Sequence, residues 1–191
     1  MTTRRDDSED HVKRQEIHHR QIDFKGYQRD DGLFEVEAHL TDRKSFDFAP
    51  PGGTTIFSAH TAIHDLYVRV IFDQDMLIQN VLTNFVAHPY FACIGGGDKL
   101  HAIIGLRIGR GWNNEIRKRL PACESCTHMR ELLTPLASAA YQTMTVKRKN
   151  LLYATKDDGT PRKINSCYAY RATGGLVEQL WPDFHQSVTA E

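Results

Sequence analysis

The spacing of apolar residues changes its period along this chain, and that change limits the folds the chain can adopt. Four segments in the first half carry the two-residue alternation of β-strands. They are residues 17–29, 33–41, 63–72 and 76–86. A stripe of apolar and small residues at helical spacing follows, from residue 125 or 127 to about residue 143, with Pro135 inside it. Strands grouped before a long helix predict an α+β domain, an antiparallel sheet packed on that helix.

Weaker patterns complete the predicted organisation. We expect a loop over His88–Lys99, a short helix over Asn114–Leu120, a fifth strand over Ile164–Arg171 and a closing strand or turn over Leu176–Trp181. Residues 1–15 are mostly charged and polar, so we expect a flexible arm there because it cannot bury enough apolar surface to offset its ordering. Residues 16–191 are then predicted to form a single α+β domain.

Composition excludes several classes of protein. Lys plus Arg and Asp plus Glu both number 24, so the formal net charge is zero and the basic surplus of a nucleic-acid binder is missing. No apolar run approaches the length of a membrane span. The first residues lack the apolar segment of a secretory signal, and four cysteines in 191 residues do not make a disulfide framework. We therefore expect a cytoplasmic protein with free thiols.

Six segments form a recognisable set. They are Arg20–Gly32, Glu37–Asp42, Ile63–Leu66, Gly105–Gly109, Cys126–Leu133 and Ile164–Cys167. Together they resemble a bacterial family catalogued as a domain of unknown function, over roughly residues 16–184. The resemblance implies a hotdog-like fold. The long helix of a hotdog domain usually follows the first strand, so either the order is permuted here or the predicted long helix is not the central one. It also implies thioesterases that act on an aromatic acyl-CoA of the vanilloyl-CoA or benzoyl-CoA type, in the catabolism of aromatic acids such as those from lignin. Water would be the nucleophile, no cofactor would be needed, and the protein would be a homo-oligomer.

The predicted start of the long helix carries the strongest local chemistry. Thr127 lies at that start, where backbone N–H groups lack partners within the helix and could polarise a thioester carbonyl. His128 and Glu131 are three residues apart and so share a side of the helix, where either could be the base for water. The alternative is that these residues only cap the helix and pair with neighbours.

The same segment has a spacing that metal sites use. Cys123-x-x-Cys126-x-His128 could be completed as a zinc site by Cys93, Cys167, His18 or His19. Structural zinc usually needs a second close ligand pair, and none is clear, so we predict no metal. Cys126 could instead be a nucleophile with His128 as its base, although a buried inert thiol is the more common state of a free cysteine.

The third predicted strand supplies a second candidate, His64-Asp65. Neighbouring strand residues point to opposite faces, so the two cannot act as a pair on one strand. His64 shares the apolar face and is either a core histidine or a catalytic group in a pocket under the helix start, and Asp65 is the other candidate for that pocket. Glu37 and His39 share a face and could contact substrate there, unless that face is solvent-exposed.

Other residues are candidates for binding coenzyme A or its acyl group. The glycines of Gly105-x3-Gly109-x-Gly111-Trp112 could lie against a phosphate, and the basic runs 117–119 and 147–149, with Arg148 and Lys149, could contact phosphates of coenzyme A. Aromatic residues could line an acyl pocket or belong to the core. They are Trp112, Tyr90, Phe91 and Tyr141.

The leading prediction is therefore an acyl-CoA thioesterase with catalytic residues among His128, Glu131, His64 and Asp65. Its partner would be a coenzyme A thioester, with no nucleic acid and no membrane. One alternative is a non-catalytic module that binds an aromatic acid or its CoA ester. A second alternative is a zinc-assisted hydrolase.

Overall fold

The computed structural model describes residues 12–147 and 153–187, and the chain divides into two compact units, residues 1–143 and 144–191. Each unit is described by itself. Most of the predicted arm, residues 1–11, lies outside the described residues. The single domain predicted over residues 16–191 stays a prediction.

The first unit is built on the predicted antiparallel sheet. Its strands are β1 (His18–Gln28), β2 (Phe34–Lys44), β3 (Ala62–Phe72) and β4 (Ile78–Ala87). They pair in the order β1-β2-β3-β4, each antiparallel to the next. All four predicted strands are confirmed. Alternation of apolar and polar residues sets the face that β2 and β3 bury, whereas β1 is exposed along almost its whole length.

Three α-helices follow the sheet in the first unit. They are α1 (Cys93–Asp98), α2 (Trp112–Arg119) and α3 (Thr127–Thr143), and a 3-10 helix, Lys99–Ile103, continues from α1. The long helix starts and ends where the sequence predicts, and the shorter one begins two residues earlier than predicted. The loop predicted over residues 88–99 is wrong in its second half, where α1 lies, because the glycines of this helix allow close packing. A Cβ atom on Gly97 would lie 2.4 Å from the ring of Phe85.

The core of this unit lies between the sheet and α3. The sheet face that packs on the helix consists of alternate residues of each strand. Those fully buried on β2 and β3 are Val36, Ala38, Leu40, Leu66, Val68, Val70 and Phe72. The helix contributes the predicted stripe, of which the buried members are Met129, Leu132, Leu133, Leu136 and Ala140. Pro135 lies on the exposed side of α3.

The second unit consists of short helices among the residues described. They are the 3-10 helices Met144–Val146, Tyr168–Tyr170 and Pro182–Phe184, with α4 (Gly175–Leu180) between the last two. The strand predicted over Ile164–Arg171 is wrong. Asn165 adopts a positive φ of 60° and its side chain accepts a hydrogen bond from the N–H of Ala172, which makes a closed turn of the segment. The closing strand or turn predicted over Leu176–Trp181 is also wrong, because most of it is helical.

Close packing of α3 on the edge strand makes one glycine essential to the fold. A Cβ atom on Gly26 of β1 would lie 1.9 Å from Oγ1 of Thr143. Gly26→Ala is therefore expected to lower the free energy of unfolding by about 1–3 kcal/mol, since overpacking forces side chains or backbone to shift. Denaturant unfolding measures the loss, and Thr143→Ala in the same background should recover part of it. Gly95→Ala is the control, because nothing lies within 4 Å of its Cβ position. Equal effects at both glycines would contradict this packing.

Candidate functional site

Three charged or polar side chains lie together at one end of the sheet, on the face that packs against α3. Arg20 of β1 is directly opposite Asp42 of β2, and Asp42 is directly opposite His64 of β3. These positions continue the alternation that buries Leu40 and Leu66 two residues away. The helix α3 begins above them, and its second residue, His128, completes the cluster.

Asp42 is the centre of this cluster. Arg20 donates from Nε to Oδ1 and from Nη2 to Oδ2, both at 2.8 Å, and Nδ1 of His64 lies 3.0 Å from Oδ2. Nε2 of His18 lies 3.3 Å from Oδ1. Only 3% of the Asp42 side chain is exposed. Burial raises the pKa of its carboxyl, but the hydrogen bonds from His64 and Arg20 outweigh burial and hold that pKa well below its usual range. Asp42 is therefore ionised at neutral pH.

The charge on Asp42 fixes the tautomer of His64. An ionised carboxylate can only accept hydrogen bonds, so Nδ1 of His64 carries the proton that lies between them. In the neutral ring the other nitrogen, Nε2, is then unprotonated and basic. With 13% of its side chain exposed, His64 keeps limited access to solvent. An oriented imidazole of this kind can take a proton from water.

His128 lies against the imidazole of His64. The two ring centroids are 3.9 Å apart and the planes are tilted by 35°. Burial lowers the pKa of His128, and the positive charge of Arg20 lowers it further, as does that of His64 whenever the His64 ring is protonated. His128 is therefore neutral at physiological pH and can offer one N–H group to a bound carbonyl oxygen.

Glu131 reaches the same cluster through Arg20. Nη1 of Arg20 donates to Oε2 of Glu131 at 3.1 Å, and about half of the Glu131 side chain, 51%, is exposed. The two helix residues predicted from sequence thus meet one group of charges. Glu131 contacts it at the solvent edge, and His128 contacts it from above.

The start of α3 is joined to α1 through its backbone. The N–H of Cys126 donates to the carbonyl of Gly96 at 2.9 Å, and the carbonyl of Cys126 accepts a hydrogen bond from the N–H of Arg130 in the first turn of α3, also at 2.9 Å. The role of the helix-start amides in stabilising an oxyanion stays a prediction. Thr127 is exposed at the helix start, and its role in substrate binding stays a prediction.

Cys126 lacks the lowered thiol pKa of a cysteine nucleophile, because burial raises the pKa of its thiol. If this site hydrolyses thioesters, as the sequence predicts, Cys126→Ser is expected to keep the rate within about threefold, because a serine hydroxyl is tolerated at a helix start. Steady-state rates of the purified variant test this. A loss of activity beyond about 100-fold with the fold intact would instead identify a covalent mechanism.

Among the described residues, one group combines the ligand types and separations of a metal site. Potential ligand atoms of Asp42, His64 and His128 lie within 4.8 Å of one another. The cysteine set that the sequence analysis considered does not form such a group among the described residues, and Cys123 is exposed. Both oxygens of Asp42 already accept hydrogen bonds from Arg20, whose positive charge would repel a cation. The hydrogen-bonded ion-pair arrangement therefore accounts for the cluster better than a metal does.

The structure places three other predicted site residues on the opposite face of the sheet. Nε2 of His39 lies 2.8 Å from Oδ1 of Asp65, and its ring stacks on that of Tyr67 at a centroid distance of 3.9 Å. Glu37 lines a small pocket of about 130 Å³ beside His39. Asp65, His39 and Glu37 therefore form a cluster separate from His64 and His128, as strand alternation requires. Their catalytic and substrate-binding roles stay predictions.

The remaining predicted binding residues are dispersed. Trp112 is buried, and its indole N–H donates to the carbonyl of Leu133 at 2.8 Å, so it belongs to the core between α2 and α3. Arg148 and Lys149 lie outside the described residues. Sequence reasoning missed Arg20 and Asp42. A signal was available, because Asp42 is a charged residue on the apolar alternation of β2, two positions after Leu40.

Comparison with known proteins gives one match. The family model described as Protein of unknown function (DUF2889) matches residues 18–142, from the start of β1 to one residue before the end of α3. This confirms that the chain belongs to a family of unknown function, and the matched range contains every member of the cluster. The resemblance beyond residue 142, and the fold and activity that it implies, stay predictions. Neither the curated proteins nor the solved structures include a match. No helix among the described residues has the length and apolar character needed to cross a membrane.

Proposed function

We propose that this chain, which belongs to the DUF2889 family, is an acyl-CoA thioesterase in which the imidazole of His64 activates a water molecule. The observation that carries the proposal is the 3.0 Å contact between Nδ1 of His64 and the buried carboxylate of Asp42. That contact leaves a basic nitrogen at the start of α3 and supplies the negative charge that stabilises the ring once it takes up a proton.

The proposed reaction is a direct hydrolysis. A water proton passes to Nε2 of His64 while the water oxygen attacks the carbonyl carbon of the thioester. The tetrahedral intermediate carries its negative charge on the former carbonyl oxygen, near the N–H of neutral His128 and the positive charge of Arg20. The carbon–sulfur bond then breaks, and the imidazolium of His64 returns the proton to the leaving thiolate. The products are a carboxylic acid and free coenzyme A.

An aromatic acyl group is the substrate class that we propose. The support is the sequence resemblance together with exposed apolar side chains near α1, where Phe91 is 86% exposed and Ile94 37% exposed. The α1 backbone lies against Cys126, two residues before His128. The proposal has further parts. They are a role in aromatic-acid catabolism, a homo-oligomeric state, a cytoplasmic location and a hotdog-like fold in which the long helix follows the four strands.

Free-thiol release tests the function. Purified protein should release coenzyme A from benzoyl-CoA, vanilloyl-CoA or hydroxycinnamoyl-CoA above the rate of buffer alone. A protein that binds these esters, as shown by thermal stabilisation, but releases no thiol would instead be the non-catalytic binding module. Absence of both release and binding would reject an acyl-CoA site altogether.

A further inference from the structure

We propose that the groove between α2 and the outer side of α3 binds the phosphate-bearing nucleotide end of coenzyme A. This inference rests on the proposed thioesterase function, because it assigns a second part of the same substrate. The groove has a volume of about 610 Å³, which is large enough for a nucleotide.

The groove brings together two features that the sequence shows separately. The backbone of Gly109 and Gly111 forms one wall, and Arg117 contributes a guanidinium group to the same space. Gly111 has a φ of 84°, and nothing lies within 4 Å of its Cβ position, so the wall stays open at that point. A glycine wall beside a guanidinium group suits a phosphate, which needs close approach and positive charge.

Neutral hydrogen-bonding groups complete the lining. Asn114 lies beside Arg117, and its amide oxygen accepts a hydrogen bond from the guanidinium group. Thr134 and Ser138 lie on the other side and add hydroxyl groups. Hydroxyl and amide groups can bond to ribose and adenine, which carry both donors and acceptors. This polar lining suits a nucleotide better than an acyl chain.

A continuous row on α3 links the groove to the proposed catalytic cluster. His128, Glu131, Thr134 and Ser138 follow one another at spacings of three or four residues, so their side chains are neighbours on the helix surface. The last three are exposed. Thr134 lies about 9 Å along the helix axis from His128, by the rise of an α-helix. The extended pantetheine arm, at roughly 15 Å by the reach of a comparable chain, can cover that distance.

Direct binding of adenosine 3′,5′-bisphosphate to the full chain tests the groove without any reaction. Calorimetric titration should detect binding. Arg117→Gln should weaken that binding by about tenfold, because one charge-assisted hydrogen bond is lost. Ser138→Trp should also weaken it by filling the groove. Lys118→Gln is the matched control, because it removes the same charge at the neighbouring position. The Lys118 side chain is 72% exposed and pairs with Glu115. No binding to the wild-type chain, or equal losses from Arg117→Gln and Lys118→Gln, would overturn the assignment.

Comparison of two substrates separates this inference from the proposed function. The acyl thioester of N-acetylcysteamine carries the reacting group without the nucleotide. Ser138→Trp should lower kcat/KM for the acyl-CoA by about tenfold and leave the short ester unchanged, as expected when remote binding energy is lost. Unchanged hydrolysis of both esters by the variant would overturn the groove assignment and leave the proposed thioesterase function unaffected. If the wild-type chain hydrolyses neither ester but binds the bisphosphate, the thioesterase proposal fails and the groove remains a nucleotide site.

Discussion

His64→Gln is expected to lower kcat/KM for thioester hydrolysis by about 100- to 10,000-fold, the usual contribution of a general base. The glutamine side chain can still bond to Asp42 but cannot accept a proton from water. The loss should appear mainly in kcat, because the substituted group acts in the transition state and not in substrate binding. Initial rates of thiol release at several substrate concentrations separate the two effects.

His39→Gln is the matched control for this experiment. His39 is also a strand histidine bonded to an aspartate, at 2.8 Å from Asp65, but it lies on the sheet face away from α3. If His64 is the base, the kcat/KM of His39→Gln should stay within about threefold of the wild-type value, since His39 lies on the opposite face of the sheet from His64. If His39→Gln abolishes activity while His64→Gln does not, the site belongs on the opposite face, with Asp65 and Glu37.

Asp42→Ala is expected to produce the largest loss of stability among the substitutions in the cluster, about 3 kcal/mol in the free energy of unfolding. The buried carboxylate accepts two hydrogen bonds from Arg20 and one from His64, and without it Arg20 would keep only the half-exposed Glu131 as an ion-pair partner. Urea unfolding followed by circular dichroism measures the change. Asp65→Ala is the control, with an expected loss of about 1 kcal/mol, because Asp65 is 21% exposed and bonds to one histidine. A larger loss at Asp65 than at Asp42 would contradict the central place of Asp42.

The difference in stability between wild type and Asp42→Ala is also expected to depend on pH. Hydrogen bonds from His64 and Arg20 lower the pKa of Asp42 in the folded chain despite its burial. A carboxyl whose pKa is depressed by folding adds stability that is fully present above its unfolded value, about 3.9, and is lost as the pH falls towards the folded value. The stability difference between wild type and Asp42→Ala should therefore shrink as the pH falls below about 4. A difference that still grows below about pH 4 would contradict this linkage.

The sequence predicts the sheet and the long helix because alternation and helical spacing are local properties of the chain. Segment 33–41 alternates cleanly, and the strand that it predicts is present. The strand predicted for segment 164–171 is wrong because Asn165 closes a turn through a side-chain hydrogen bond, which the spacing of apolar residues does not reveal. The α1 helix is missed because glycines are poor helix formers, and packing against Phe85 and Cys126 overrides that preference.

The candidate site is only partly predictable for a related reason. His64, His128 and Glu131 can be identified from strand and helix patterns, and the structure brings them to one end of the sheet. Their common partners, Arg20 and Asp42, depend on the register of β1 and β2, which sets which residues lie opposite one another. Register is a tertiary property, so the sequence does not show that a buried carboxylate lies beneath His64.

Asp42→Asn offers the most direct test of the proposed dyad. The amide keeps the shape of the carboxylate, but its NH₂ group can donate to Nδ1 of His64, which then carries its proton on Nε2 and cannot act as the base. Thiol release from benzoyl-CoA by the folded variant should be at least about 100-fold slower than by the wild-type protein at pH 7. A folded Asp42→Asn variant that releases coenzyme A at the wild-type rate would contradict the account.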